Sequence, residues 1–232
     1  MRKRFLFFLL IGPVIPAFSQ SDSLFFSVVF DGKPAKDGGA GLYNGKEHVG
    51  YLPSIEGSAY YGSKEWLPGS LTLHGMLYKD ALLKYDLVAD EVIILHSNGF
   101  TGVTLFTPRV ESFTLNNKRF VQLADHTTSG LKGGIYEELL RGKLSLYVKR
   151  SKKIQQTILT NGIEKKFVDN SSHFILKEGN YYPIKNEKAL TDLLSEKREE
   201  VTTWMKTSGI NYKSNPEDAL IKIVGFYNQI SR

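Results

Sequence analysis

The sequence predicts a mainly β protein with a helical end: an antiparallel β-sheet domain, built as a curved sheet, barrel or sandwich, followed by a C-terminal helical hairpin. Three observations carry this. From residue 24 to about 182 the chain runs in short apolar segments rich in β-branched and aromatic residues, cut by Gly, Asn and Asp pairs. Past Pro183 the apolar period lengthens from two to about 3.6 residues, the spacing of a helix face. The 232 residues include no cysteine, so the fold rests on a packed core, which a chain of this length can supply.

The first segment, 24–30 (LFFSVVF), stops at Asp31-Gly32, and a glycine-rich loop spans 36–41. Leu71 and Leu73 alternate with Ser70, Thr72 and His74, and Gly75 interrupts before Met76, Leu77 and Tyr78. Residues 81–87, a turn at Ala89-Asp90 and residues 91–95 read as consecutive antiparallel strands. Asn98-Gly99 closes the next segment, and residues 103–106 form another that Pro108 stops. Residues 110–115 then meet 119–123 across Asn116-Asn117, where asparagine tolerates the positive φ of a tight hairpin. Residues 135–140 and 143–148 pair about Arg141-Gly142. Asn161-Gly162 marks a further turn, after which Phe167, residues 173–176 and Tyr181-Tyr182 continue the pattern around Glu178-Gly179-Asn180. Turn signals at this density favour an antiparallel sandwich, curved sheet or barrel over a parallel α/β sheet.

In the helical part, Leu190, Leu193, Leu194, Val201, Trp204 and Met205 lie on one stripe, opposite a charged face at 196–200, and Ser208-Gly209 ends the element. A second helix opens at Asn215 as N-cap, with Pro216 in the first position and Glu217 and Asp218 at the positive end of the dipole. Its apolar set is Leu220, Ile223, Val224, Tyr227 and Ile230. The pair, residues 186–231, packs on the sheet or caps one end of it.

Residues 1–19 read as a secretory signal peptide. Arg2, Lys3 and Arg4 precede an apolar run from residue 5, Pro13 and Pro16 break it, and Ala17-Phe18-Ser19 supplies small residues for cleavage near Ser19 and Gln20. The stretch is short of the roughly 20 apolar residues of a membrane span. No cysteine follows for lipid attachment. The expected organisation is therefore leader 1–19, β domain 20–183 and helical segment 184–232, exported to the periplasm or outside the cell, with no transmembrane span after cleavage. Removing the leader's three cations from thirty basic residues leaves 27 against 24 acidic, a net +3 in place of +6. That balance argues against a nucleic-acid partner, which shows as a strongly basic domain.

Residue chemistry does not assemble into a reaction. His48, His74, His96, His126 and His173 are isolated, with no spacing that sets two ligands on one face, so no metal is expected. Gly57-Ser58-Ala59 and Gly69-Ser70-Leu71 lack the Gly-x-Ser-x-Gly elbow of an activated serine. Glu137-Glu138 point to opposite faces of a strand, and Glu199-Glu200 belong to a solvated helix face. Gly38-Gly39-Ala40-Gly41 lacks the Gly-Lys-Ser/Thr ending of a phosphate loop. Asn170-Ser171-Ser172 matches a glycosylation acceptor, a three-residue pattern common by chance. No catalytic residue and no cofactor is predicted.

Two features point to contact with another molecule. Lys149, Arg150, Lys152 and Lys153, joined later by Lys165 and Lys166, suit a phosphate-bearing lipid or polysaccharide, though lysines guarding a solvated edge strand against aggregation explain them at less cost. Tyr60, Tyr61 and Trp66 lie in an aromatic-rich first half and combine apolar area with a polar handle, although core packing accounts for many such residues. These seven residues, Tyr60, Tyr61, Trp66, Lys149, Arg150, Lys152 and Lys153, are the predicted ligand or partner contacts.

Several stretches carry a resemblance over the whole chain: Leu42-Tyr43-Asn44-Gly45, Tyr60-Tyr61 to Trp66 with Gly69, Tyr85-Asp86-Leu87 before Glu91-Val92, Arg150-Ser151-Lys152-Lys153-Ile154-Gln155, and Ala219-Leu220-Ile221-Lys222-Ile223-Val224 with Tyr227-Asn228. In these the chain resembles an exported family of unknown function common in Bacteroidetes-type bacteria. The resemblance implies a periplasmic or cell-surface setting and supplies no catalytic residue. The leading expectation is an exported, non-enzymatic envelope protein that binds a hydrophobic or envelope-derived ligand, a lipid or glycan. The alternatives are an accessory or scaffold subunit docking to an outer-membrane complex through Tyr60, Tyr61 and Trp66, and a hydrolase whose site forms from distant residues.

Overall fold

The computed structural model describes residues 27–28, 42–160 and 162–231, the first pair by backbone alone. The leader, the rest of the 24–30 segment, the glycine-rich 36–41 stretch and Asn161 lie outside the described residues. Twelve strands form one sheet: β1 (Ser27–Val28), β2 (Gly45–Glu47), β3 (Leu67–Leu73), β4 (Met76–Asp86), β5 (Glu91–Leu95), β6 (Gly102–Leu105), β7 (Val110–Leu115), β8 (Lys118–Leu123), β9 (Gly134–Leu140), β10 (Leu144–Leu159), β11 (Gly162–Lys177) and β12 (Asn180–Ile184). Their order across it is β12-β11-β10-β9-β8-β7-β3-β4-β5-β6-β2. Every neighbour in that path is antiparallel, but β1 runs parallel to β4 at Leu77 and Tyr78, beyond the reach of β5. The sheet is thus mixed and single, which corrects a purely antiparallel sheet, a sandwich and a closed barrel together.

Local chemistry explains most strand boundaries. Asn116 and Asn117 both take positive φ, at 46° and 63°, which lets a two-residue turn match the strand twist between β7 and β8. Glu178 and Gly179 do the same between β11 and β12. Met76–Tyr78 and residues 81–86 are not two strands but one. A bulge at Lys79 and Asp80, with Asp80 at φ 54°, shifts the register against β3 so that both Tyr78 and Ala81 reach the core. β10 and β11 each run 16 residues, well past the apolar segments visible in sequence. Their outer halves are exposed on both faces, so no alternation of apolar and polar residues marks them.

The sheet curls strongly on itself. In the strand order β4 and β10 are five steps apart, about 24 Å in a flat sheet. Yet Lys152 N donates to the carbonyl of Leu87, the residue after β4, at 2.8 Å. Tyr85 on β4 likewise meets Phe120 on β8 at a ring separation of 5.4 Å, across three steps. The first core lies inside this curl and is filled by the protein's own side chains, among them Leu71, Leu83, Tyr85, Phe113, Leu115 and Phe120. Phe113 and Phe120 stack at 4.8 Å, and Tyr85 meets both edge-on.

The helical segment covers one face of the other half of the sheet. α1 (Glu187–Leu193), a 3-10 turn at Ser195–Lys197 and α2 (Arg198–Thr207) stand where the sequence suggests one helix. The apolar stripe survives the break: Leu190, Leu194, Val201 and Met205 pack with Leu144, Leu146 and Ile175 in a second core. α3 (Pro216–Ile230) begins as expected, with the Asn215 side chain accepting from Asp218 N. Asn228 then docks α3 on β10, its amide accepting from Leu144 N at 2.8 Å and donating to Leu144 O at 2.9 Å. Tyr136, Tyr147, Phe174 and Leu131 form a third core on the opposite face.

The curl is held by a polar seam. Asp90, at φ 59° in the β4–β5 turn, accepts from Tyr85 Oη at 2.6 Å, from Lys149 Nζ at 2.6 Å and from Ile135 N at 3.3 Å. Gly134 must be glycine here: its φ is +145°, and a Cβ would sit 2.4 Å from Asp90 Oδ2. Gly134→Ala is therefore expected to lower the unfolding free energy by about 3 kcal/mol, and Asp90→Ala by about 2 kcal/mol, in urea titrations of the full chain. Unchanged midpoints for both would show that the curl is held elsewhere.

Candidate functional site

Of the four predicted cations on β10, three are engaged inside the molecule. Lys149 donates to Asp90 and to Ile135 O at 3.0 Å. Arg150 Nε donates to the buried Glu137 at 2.8 Å, while its two terminal nitrogens clasp Glu217 at 2.7 Å each. Lys152 donates to the carbonyl of Ser58 at 2.9 Å, with Asp169 at 3.5 Å. Only Lys153 of the four stands exposed, with no ion pair among the described residues. The partner carboxylates lie 59, 13 and 67 residues from their cations, so nothing near the cluster in sequence reveals the pairing.

The Arg150 cluster joins α3 to the sheet. His173 Nε2 lies 3.1 Å from Glu217 Oε2, and since an ionised carboxylate only accepts, that nitrogen carries the proton. The hydrogen bond from His173, together with the hydrogen bonds and charge of Arg150, outweighs burial and holds the Glu217 carboxyl down at about 2. Tyr61 donates to Glu137 at 3.4 Å, and its hydroxyl is pushed up to about 12 by burial and by the Glu137 charge.

The predicted aromatics divide between two sides. Tyr61 turns inward, edge-on to Phe120 at 5.0 Å and packed against the first core. Tyr60 and Trp66 turn outward and share Lys84, whose ammonium sits 5.1 Å and 4.4 Å from their ring centres. Tyr60 Oη is 2.6 Å from His48 Nε2, and His48 Nδ1 is 3.3 Å from Thr104 Oγ1. Burial lowers the pKa of His48 and of Lys84. Beneath them the buried Asp86 accepts from Tyr51 Oη at 2.9 Å and from the amides of Val88 and Ala89. The result is a half-buried aromatic and cationic patch in which each polar atom named has a partner.

The remaining cations stand at the root of the exposed part of the β10–β11 pair, Lys165 and Lys166 opposite Gln156 and Gln155 and Lys153 opposite Val168. Residues 55–60 lie across its root: Glu56 bridges Lys165 and Phe167 through the backbone, and Tyr51 meets the Phe167 ring at 5.3 Å. Past Lys165 the two strands pair with each other alone among the described residues. This ribbon carries Ile158 at 80% exposure, Ile163 at 59%, Leu159 at 39% and Ile154 at 38%. Ile158 faces Ile163 across the strands, Gln156 faces Lys165 and Gln155 faces Lys166. The sequence reading did not single out these isoleucines, although extending two strands back from the Asn161-Gly162 turn signal would have brought them together.

The histidines remain scattered. His48 and His173 sit in the two clusters above, His74 lies in the β3–β4 turn at φ 52°, His96 meets the Tyr43 ring at a tilt, and His126 contacts Ser129 and Tyr181. No group of three His, Asp or Glu residues among the described residues could hold a metal. An open cleft of about 830 Å³ beside the β4–β5 turn is lined by Asp90, Glu91, Lys46, Phe106, Arg109 and Gln122 among others, with no serine or histidine in its lining. No family model, curated protein or solved structure matches the chain, and the resemblance to an exported family rests on its quoted residues alone.

The Glu217 pairing gives a pH dependence of stability. Its folded carboxyl titrates near 2 against 4.5 when free, so its contribution is full above about pH 4.5 and is lost as pH falls through 2. Glu217→Gln is expected to lower stability at pH 7 by on the order of 2 kcal/mol, with the difference from the parent chain shrinking between pH 4.5 and 2. A difference that stays constant across that range in denaturant melts would assign the stabilisation to packing of α3 instead.

Proposed function

We propose that this chain is an exported, non-enzymatic envelope protein whose curled sheet is a rigid mount and whose β10–β11 ribbon is its contact element. The observation that carries the reading is the ribbon itself: a 16-residue strand pair, anchored at its root by the second and third cores and the seam, runs on past Lys165 paired only with itself among the described residues, with isoleucines uncovered. Exposed apolar side chains of this kind mark interaction sites. The export half of the proposal is supported by the N-terminal charge, apolar run and small-residue pattern. The curl offers its interior to its own aromatics, so a hydrophobic partner is met on the surface.

A second contact area is favoured by the Tyr60, Trp66 and Lys84 patch, where Trp66 is half-buried and faces outward. This is the surface on which docking to an outer-membrane complex would draw. Tyr61 has no part in it, since it packs inward.

Replacing residues 157–164 by Asn-Gly, which keeps Gln156 opposite Lys165, tests the ribbon reading. The thermal midpoint is expected to move by no more than about 2 °C, because the deleted side chains are exposed. After fractionation of cells expressing the full chain, the shortened form is expected to shift from the envelope to the soluble fraction. Equal retention of both forms would end the proposal.

A further inference from the structure

The ribbon's end has an arrangement more specific than an apolar patch. Ile158 and Ile163 form its last fully apolar cross-strand pair, with Leu159 beside them. Two residue steps back stand Lys165 and Lys166, about 7 Å along the strand from Ile163. Successive strand residues point to opposite faces, so these two lysines place one ammonium on each side of the ribbon. Lys153 follows further back; between residues 153 and 166 Glu164 is the only acid in sequence, and Glu56 stands beside Lys166 through its backbone bridge without an ion pair to it. None of the three lysines forms an ion pair among the described residues, in contrast to Lys149, Arg150 and Lys152. Gln155, Gln156 and Thr157 fill the interval with uncharged polar groups.

We infer that the ribbon seats in the interface of an anionic lipid bilayer, with Ile158, Leu159 and Ile163 at the headgroup and acyl boundary and Lys165 and Lys166 on the phosphates. The inference rests on the ribbon being the contact element. Apolar groups of interfacial elements enter about 5 to 10 Å below the headgroups, and the spacing from Ile163 to the lysine collar matches that depth. Lysine stems extend along apolar surface while their heads stay with water and phosphate, which widens the tolerance. A two-stranded ribbon has open backbone edges, which hydrocarbon does not accept, so the geometry permits seating and excludes spanning. A second copy of the chain suits the ribbon poorly, because pairing two ribbons brings six lysines together against two glutamates.

The test uses the full chain and vesicles of phosphatidylcholine alone or of equal parts phosphatidylcholine and phosphatidylglycerol. Binding is expected to the anionic vesicles, weakened by salt, and to be near background on phosphatidylcholine. Replacing Lys153, Lys165 and Lys166 together by Gln should weaken it on the order of a hundredfold. Ile158→Asp with Ile163→Asp should weaken it at least about tenfold. Both variants change exposed side chains, so unchanged melts will show that they fold. The chain has no cysteine, so Ile158→Cys carrying an environment-sensitive dye should shift to the blue on anionic vesicles, while the same dye at Lys188→Cys on α1 should not. Absence of vesicle binding, with the Asp variant still lost from the envelope fraction, would overturn the lipid inference and leave the ribbon reading standing. Concentration-dependent self-association through the ribbon without lipid would also overturn it, in favour of a second copy. Unaltered envelope retention of the Asp variant would end both.

Discussion

Asp90 sits where the curl either holds or opens. The helices cover only the β9–β12 half of the sheet, so the aromatic face of the other half is buried by the sheet bending over it, and the bend must stop where that core is filled. The β4–β5 turn arrives beside β9 and β10 at that point, and the Asp90 carboxylate accepts from Tyr85, Lys149 and the Ile135 amide there. Tyr85 is itself a core residue, its hydroxyl buried and its pKa well above the ordinary value through burial and the Asp90 charge. The seam thus couples the position of the β4–β5 turn directly to the packing of the interior. A partly buried ion pair of this kind adds little over an apolar contact of the same shape. What it supplies is a unique meeting place: Lys149 and Lys152 find Asp90 and the Ser58 carbonyl only in one arrangement of the curl.

Strand identity was legible where turn chemistry is local. Asn116, Asn117 and Gly179 have the positive φ that their residue types suggest, and the Asn215-Pro216-Glu217 opening of α3 is a cap in fact as in pattern. Boundaries that depend on distant neighbours were not legible. The bulge at Lys79 and Asp80 looks like a strand break because alternation fails there, although the chain continues in one strand. The break between α1 and α2 leaves the 3.6-residue stripe intact, so periodicity carries no trace of it. The curl itself is a relation between β4 and β10, and no local pattern encodes a contact across five strands.

The same limit governs the site. A run of cations is one object in sequence and three in space. Lys149, Arg150 and Lys152 are held by carboxylates and carbonyls brought from the β4–β5 turn, β9, α3 and the 55–60 segment, and they serve the fold. Lys153, Lys165 and Lys166 lie past the last of those carboxylates and keep their charge for the outside. Similarly, Tyr60 and Tyr61 are neighbours in sequence but divide between the two sides of their segment, one toward Lys84 and the other toward Phe120. Alternation is the rule an extended chain imposes, and which side is inward is decided only by the sheet below.

Net charge therefore says little about what this surface can hold. With Arg2, Lys3 and Arg4 set aside, as the export proposal implies, the chain is close to neutral, which weighs against a nucleic-acid partner spread over a wide basic face. It does not weigh against a small cationic end on a long lever. Along β10 the environment grades from buried at Leu144, Leu146 and Val148, through clamped at Lys149, Arg150 and Lys152, to open from Lys153 to Leu159. Each stage makes the next possible: the cores fix the strand's direction, the seam fixes its root, and the neutralised cations leave the outer lysines as the uncompensated charge on that element. A field concentrated on so few groups acts over about a Debye length, roughly 8 Å at physiological salt, and the isoleucine pair lies within that reach of the lysine collar behind it, about 7 Å along the strand. Apolar contact and electrostatic attraction then operate on the same partner at the same time, which is the condition a charged apolar interface satisfies and a uniformly polar surface does not.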